Sequence, residues 1–223
     1  MLLGALFDWD GVVIDSSAQH DRSWTLLSTE VGKPLPPDHF VRGFGMKNQT
    51  IIPDVLGWTN DAEEIEALSL RKELLYRQIV MREGIAPLPG VIELLKLLNR
   101  HDVACAVASS THRQNIETVF DMTGLREHFA AVVTAEDVGQ GKPHPDVFLK
   151  SAAAIERRPD RCVVFEDALV GIEAGLAAGA KVVAVATTCP IEALGNAHLA
   201  VRSLLEVDWQ VFSTLLSDPA PPL

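Results

Sequence analysis

Short apolar runs alternate with amphipathic stretches along most of the chain. The apolar runs are 2–7 (LLGALF), 103–108 (VACAVA), 131–134 (AVVT), 162–165 (CVVF) and 182–185 (VVAV). Each is almost wholly apolar, as expected of parallel strands buried on both faces. Between them, residues 91–99 (VIELLKLLN), 114–120, 146–155 and 168–178 carry apolar side chains at helical spacing. Strand-helix alternation of this kind predicts an α/β fold with a doubly wound, Rossmann-like parallel sheet.

One interval breaks the rhythm. Residues 16–84 contain no strand pattern but several helical ones, at 20–29, 39–43, 49–56 and 62–82. Pro34-Leu35-Pro36-Pro37 and Gly57-Trp58 separate them. The pattern predicts a helical cap, 16–84, inserted into an α/β core made of 1–15 and 85–223. Its linkers fall near 13–16 and 83–89. The proline-rich end, 217–223 (SDPAPPL), is expected to fray.

Composition narrows the function classes. Of 223 residues, 48% are hydrophobic, enough for a sizeable core, and the net charge is −11. That balance argues against nucleic acid and anionic membranes as partners. Cys105, Cys162 and Cys189 form no CxxC or zinc-type spacing, which suits inert thiols in a reducing compartment. The apolar start is too short for a signal sequence, and no run approaches the ~18 apolar residues of a membrane helix. A cytoplasmic protein is expected, as a monomer or a homodimer.

Four short motifs carry candidate chemistry. In Phe7-Asp8-Trp9-Asp10-Gly11, two carboxylates sit two residues apart where the first strand gives way to a glycine loop. Residues i and i+2 of an extended chain point the same way, so Asp8 and Asp10 face one pocket. Open α/β sheets bind ligands at that end of the strands. A carboxylate nucleophile, Asp8, beside an acid that can hold and deliver a proton, Asp10, suits phosphoryl transfer. The alternative is a solvated Asp-rich turn. In Val107-Ala108-Ser109-Ser110-Thr111, the hydroxyls could bind a phosphate or cap the following helix. Lys142, in Gly141-Lys142-Pro143, could neutralise Asp8 and an incoming phosphate or be a solvated loop lysine. Glu166 and Asp167 end another apolar run. With Asp8 they make an oxygen-rich site suited to Mg²⁺, although Asp167 could equally cap a helix.

Together, FDWDGVVIDS, VASST, GKPHPDVFLKSA and FEDALVGIEAGLAAGA resemble the haloacid dehalogenase-like hydrolase superfamily, in its helical-cap group. The resemblance covers nearly the whole chain. It implies that Asp8 forms an aspartyl-phosphate and that Asp10 is the general acid/base, its backbone carbonyl also holding metal. It further implies that Ser109 and Lys142 hold the phosphate, and that Asp167 with Glu166 completes an Mg²⁺ site.

The cap resembles the β-phosphoglucomutase and sugar-phosphatase branch. His20 matches a histidine at the start of the first cap helix and could orient Asp10 or contact substrate; otherwise it is a surface or capping residue. Lys72 matches a substrate-contacting lysine, its alternative being a solvated cation beside Glu73 and Arg77. Gly43-Phe44-Gly45-Met46-Lys47-Asn48 resembles the specificity loop. Where mutases carry an arginine for a second phosphate, only Met46 or Lys47 aligns. The expected activity is therefore hydrolysis of a small phosphorylated metabolite, such as a sugar phosphate. The alternatives are a β-phosphoglucomutase-type mutase, a phosphonoacetaldehyde hydrolase and a non-catalytic phosphate-binding protein.

Overall fold

A computed structural model of the chain describes residues 2–43 and 45–217. Among the described residues, β1 (Gly4–Phe7), β2 (Ala104–Ala108), β3 (Ala131–Val133), β4 (Cys162–Glu166), β5 (Lys181–Val185) and β6 (Leu199–Val201) form one sheet. All its pairings are parallel, in the order β3-β2-β1-β4-β5-β6. The helices are α1 (Ser17–Val31), α2 (His39–Gly43), α3 (Asn48–Thr50), α4 (Ala62–Glu83), α5 (Val91–Arg100), α6 (Arg113–Thr123), α7 (Asp146–Ala154), α8 (Leu169–Ala177) and α9 (Trp209–Leu215).

Alternation along the strands buries both faces of the sheet. Ala5, Phe7, Val107, Val163 and Phe165 point to one side, under α5, α6 and α9. Leu6, Ala106, Ala108, Val164 and Val182 point to the other, under α7 and α8. Helices α1 to α4 all lie between β1 and β2 in the chain. They enclose a core of their own around Trp24, Leu27, Ile52, Leu68 and Leu75. The predicted helix at 49–56 forms as α3 followed by a π-helical turn, Ile51–Val55.

Two elements had no counterpart in the apolar pattern. Strand β6 is three residues long at the sheet edge and only partly buried. Helix α9 has seven residues, two turns, too few for a helical period to stand out. Of the predicted frayed end, residues 218–223 lie outside the described part of the chain.

Candidate active site

Asp8 directly follows β1, and its N–H donates to the Phe165 carbonyl of β4 at 2.9 Å. The strand order reverses between β1 and β4, which opens a crevice at their carboxyl ends. Trp9 turns into the core, fully buried and edge-on to Phe120 at 5.1 Å between ring centroids. Its neighbours Asp8 and Asp10 line the same cavity on the other side. Gly11 then takes φ +87°, and a Cβ at that position would overlap the Asp167 carboxylate. Only glycine lets the loop close on that acid.

Lys142 is buried beneath Asp8. Its ammonium donates to Asp8 Oδ1 and to Glu166 Oε1, both at 2.6 Å. The other oxygen of Glu166 accepts the N–H groups of Asp167 and Ala168 at 2.8 Å. Asp167 does not cap α8: that position is Ala168, without a side-chain cap bond. Instead Asp167 accepts the Thr188 hydroxyl, and its buried Oδ1 has no hydrogen-bond partner.

One carboxylate oxygen each from Asp8, Glu166 and Asp167 lies within 4.8 Å of the others. Burial is the main reason Asp8 is pushed up to about 7. Glu166 and Asp10 add to it, and Lys142 opposes it. Asp167 is also raised, by burial and then by Glu166 and Asp8. Burial disfavours the Lys142 charge, yet Asp8 and Glu166 more than offset this and hold it above the usual lysine range. Three acids against one lysine leave the site short of positive charge, which on top of burial is what raises Asp8 and Asp167. An all-oxygen donor set with an unpartnered buried oxygen fits a hard divalent cation.

Asp10 sits in a different environment. Its Oδ1 accepts from Ser16 Oγ at 2.5 Å and from His20 Nε2 at 3.2 Å. The His20 ring stacks on Tyr76 with centroids 4.0 Å apart, and its Nδ1 accepts from Lys72 Nζ at 2.7 Å. That bond assigns the ring proton to Nε2, which donates to Asp10. Burial works against the Asp10 charge, but His20, Ser16 and Lys72 together hold its carboxyl below the usual range. Without a metal cation in the site, Asp8 is thus held above and Asp10 below the usual carboxylate range. The cause is the unequal supply of donors.

Ser109, Ser110 and Thr111 line the cavity. None caps α6, whose cap position is His112; the Arg113 N–H goes to the Glu136 carboxylate at 3.2 Å. Ser109 Oγ accepts the Thr111 N–H at 3.0 Å. His20, Lys72 and Met46 form part of the opposite wall. Lys47 does not join them. Its ammonium donates to the carbonyls of Ala135 and Val138 at 2.8 and 2.9 Å, beside a separate groove. Phe44 lies outside the described residues.

Residues 3–179 match the family model for haloacid dehalogenase-like hydrolases. The chain belongs to that family. It is 36% identical, over 92% of its length, to the chloroplastic 5-amino-6-(5-phospho-D-ribitylamino)uracil phosphatase of Arabidopsis thaliana, but spans only 55% of that protein. It is 31% identical to hexitol phosphatase A of Escherichia coli (strain K12), over 92% of each chain. The solved structure of a family IA, variant 3 hydrolase from Entamoeba histolytica superposes with a TM-score of 0.86 at 26% identity, covering 96% of this chain and 99% of that one. Among the described residues no helix is long and apolar enough to cross a membrane.

This family member carries polar residues in its site that were not anticipated from sequence. Glu73 is 3% exposed and accepts from Asn48, Lys72 and Asn115. Thr188 hydrogen-bonds Asp167. A signal for Glu73 existed: Ser69, Lys72, Glu73, Tyr76 and Val80 recur at three- and four-residue steps along α4 and form one buried stripe. Nothing in the sequence marks Thr188, since its role depends on β5 lying beside β4.

Proposed function

We propose that this chain is a divalent-cation-dependent phosphatase that hydrolyses a small phosphomonoester through phosphorylated Asp8. The observation that carries the reading is the pairing of Asp8 and Asp10 in one cavity at the β1/β4 crevice, with Lys142 at 2.6 Å from Asp8. Family members generally use a divalent metal. Asp8 and Asp167, with Glu166 behind them and the Asp10 carbonyl, would hold Mg²⁺ here. When bound, the ion would offset the charge of the acids and of the phosphate and favour ionised Asp8.

The chain's own residues then divide the work. An oxygen of Asp8 attacks phosphorus in line with the ester bond; its bond to phosphorus forms as the ester P–O bond breaks. Asp10 gives the leaving oxygen a proton. The incoming phosphate supplies negative charge beside Asp10 and raises its proton affinity, which counters the donors from Ser16 and His20. Asp10 next takes a proton from water, whose oxygen attacks phosphorus and frees Asp8 and inorganic phosphate. Lys142, Ser109 and Ser110 hold the phosphate oxygens. Residues 16–84 act as a cap that closes over the site, with His20 and Lys72 on its inner wall.

The β-phosphoglucomutase-type alternative follows the same first half and differs in its acceptor, a sugar hydroxyl instead of water. Two assays run side by side separate them: inorganic phosphate release from sugar phosphates, and glucose 6-phosphate formation from β-glucose 1-phosphate. Steady phosphate release with little glucose 6-phosphate is expected. Conversion that needs a bisphosphate primer and far exceeds phosphate release would make the chain a mutase.

A further inference from the structure

Opposite Asp8 and Asp10 the cavity is walled by the helical insertion, and each basic group on that wall already faces an acid. Among the described residues lining the cavity, Lys72 is the one lysine or arginine. Its ammonium is 3.0 Å from Glu73 Oε1 and 2.7 Å from His20 Nδ1. His20 faces Asp10. His39 keeps Nδ1 on the Pro36 carbonyl at 2.9 Å; its Nε2 lies 3.4 Å from Asp21 but makes no hydrogen bond. Lys47 is committed to loop carbonyls, and Arg71 to Glu30 outside the cavity. No lysine or arginine on this wall is left over for an anion.

Glu73 is the fixed negative point there. Its side chain is 4% exposed and clamped from both sides of the cavity. Asn48 and Lys72 donate to Oε1 at 2.6 and 3.0 Å, and Asn115 of α6 donates to Oε2 at 2.5 Å. Burial alone would raise its pKa, but Lys72, His20 and the two amides lower it to about 2. Two carboxylate oxygens offer about four acceptor positions, and three are filled, so one more donor can be taken. A hydroxyl supplies that donor; a second phosphate or a carboxylate brings only like charge.

We infer that Glu73 determines specificity, restricting the cavity to phosphomonoesters whose leaving group is uncharged and hydroxylated, and rejecting those that carry a second phosphate or a carboxylate. The inference rests on the phosphatase reading and narrows its substrate class. The reacting phosphate is not penalised in this way, because Lys142 and the metal site serve that end of the cavity. At the wall around Glu73, like charges meet where water is largely excluded and their repulsion is least screened.

The test uses substrate pairs matched in length: sorbitol 6-phosphate against 6-phosphogluconate, and fructose 1-phosphate against fructose 1,6-bisphosphate. The wild-type enzyme should prefer the uncharged member of each pair by on the order of 100-fold in kcat/KM. Glu73→Gln should shrink that ratio by at least about tenfold. Met46→Arg, which adds an unpaired cation to the cavity wall, should shrink it as well and serves if E73Q does not fold. Equal kcat/KM within each pair for the wild-type enzyme, or undiminished discrimination in E73Q, overturns the role of Glu73 while the phosphatase reading stands. No phosphate release from any compound, p-nitrophenyl phosphate included, overturns the phosphatase reading and this inference with it.

Discussion

Lys142 and Asp8 meet at 2.6 Å although they are 134 residues apart in the chain. Lys142 also reaches Glu166 at 2.6 Å, so one buried ammonium balances acids from two strand ends. Replacing it by Met leaves two buried carboxylates without a cation. Removing one partner of a buried pair costs about 3–5 kcal/mol. Lys142→Met should therefore lower the unfolding free energy by that measure, seen as a lower urea midpoint, and cut phosphate release by orders of magnitude. A variant with the parent's midpoint would show that Lys142 does not hold these acids together.

Asp8→Asn separates chemistry from stability. The variant lacks the proposed nucleophile, so turnover of p-nitrophenyl phosphate should fall by several orders of magnitude. Stability should move the other way. Asp8 is raised from 3.8 to about 7, chiefly by burial. A carboxyl with a raised pKa supports the fold at low pH and loses that support as pH climbs from about 4 through 7. Asn has nothing to lose. In EDTA, the Tm of Asp8→Asn should equal the parent's near pH 4 and exceed it at pH 8. A Tm well below the parent's at pH 8 would contradict the assigned environment of Asp8.

The core was legible because its signals are local. Five of the six strands stand out as unbroken apolar runs, and Asp8, Asp10, Glu166 and Asp167 follow directly from where two of those runs stop. Strand β6 and helix α9 were too short to show a period. At the site, the sequence identifies which residue types end each strand but not how donors are shared. Asp10 receives Ser16 and His20, while Asp8 receives Lys142, and only the fold shows that division. Glu73 does not stand out beside Lys72, because neighbouring charges on a helix usually face water. Its burial requires Asn115, which the chain reaches only after β2.

The excess of acids over cations predicts metal dependence. Asp8, Glu166 and Asp167 converge within 4.8 Å, and Asp167 Oδ1 has no hydrogen-bond partner. Activity should vanish in EDTA and return with Mg²⁺. A cation that binds the folded state alone also stabilises it, so Mg²⁺ should raise Tm in a concentration-dependent way. Asp167→Asn should lose most of that rise. Full turnover in excess chelator, or a Tm indifferent to Mg²⁺, would remove the metal from the mechanism.

Glu73 supplies a stability signature that is independent of catalysis. Its pKa falls from 4.5 to about 2: burial opposes the charge, but Lys72, His20, Asn115 and Asn48 outweigh it. A depressed carboxyl supports the fold above its unfolded pKa, and that support is lost as pH drops from about 4.5 toward 2. A shift of this size corresponds to on the order of 3 kcal/mol at neutral pH. Glu73→Gln should accordingly be the less stable protein at pH 7, by chemical denaturation. The gap to the parent should narrow steadily between pH 5 and pH 3, because the unfolded parent takes up a proton on Glu73 there while the folded parent, with its pKa near 2, does not. Comparing the two proteins cancels the other acids, which titrate in both. A gap that stays constant down to pH 3 would mean that Glu73 is not held as a buried anion between Lys72, Asn48 and Asn115.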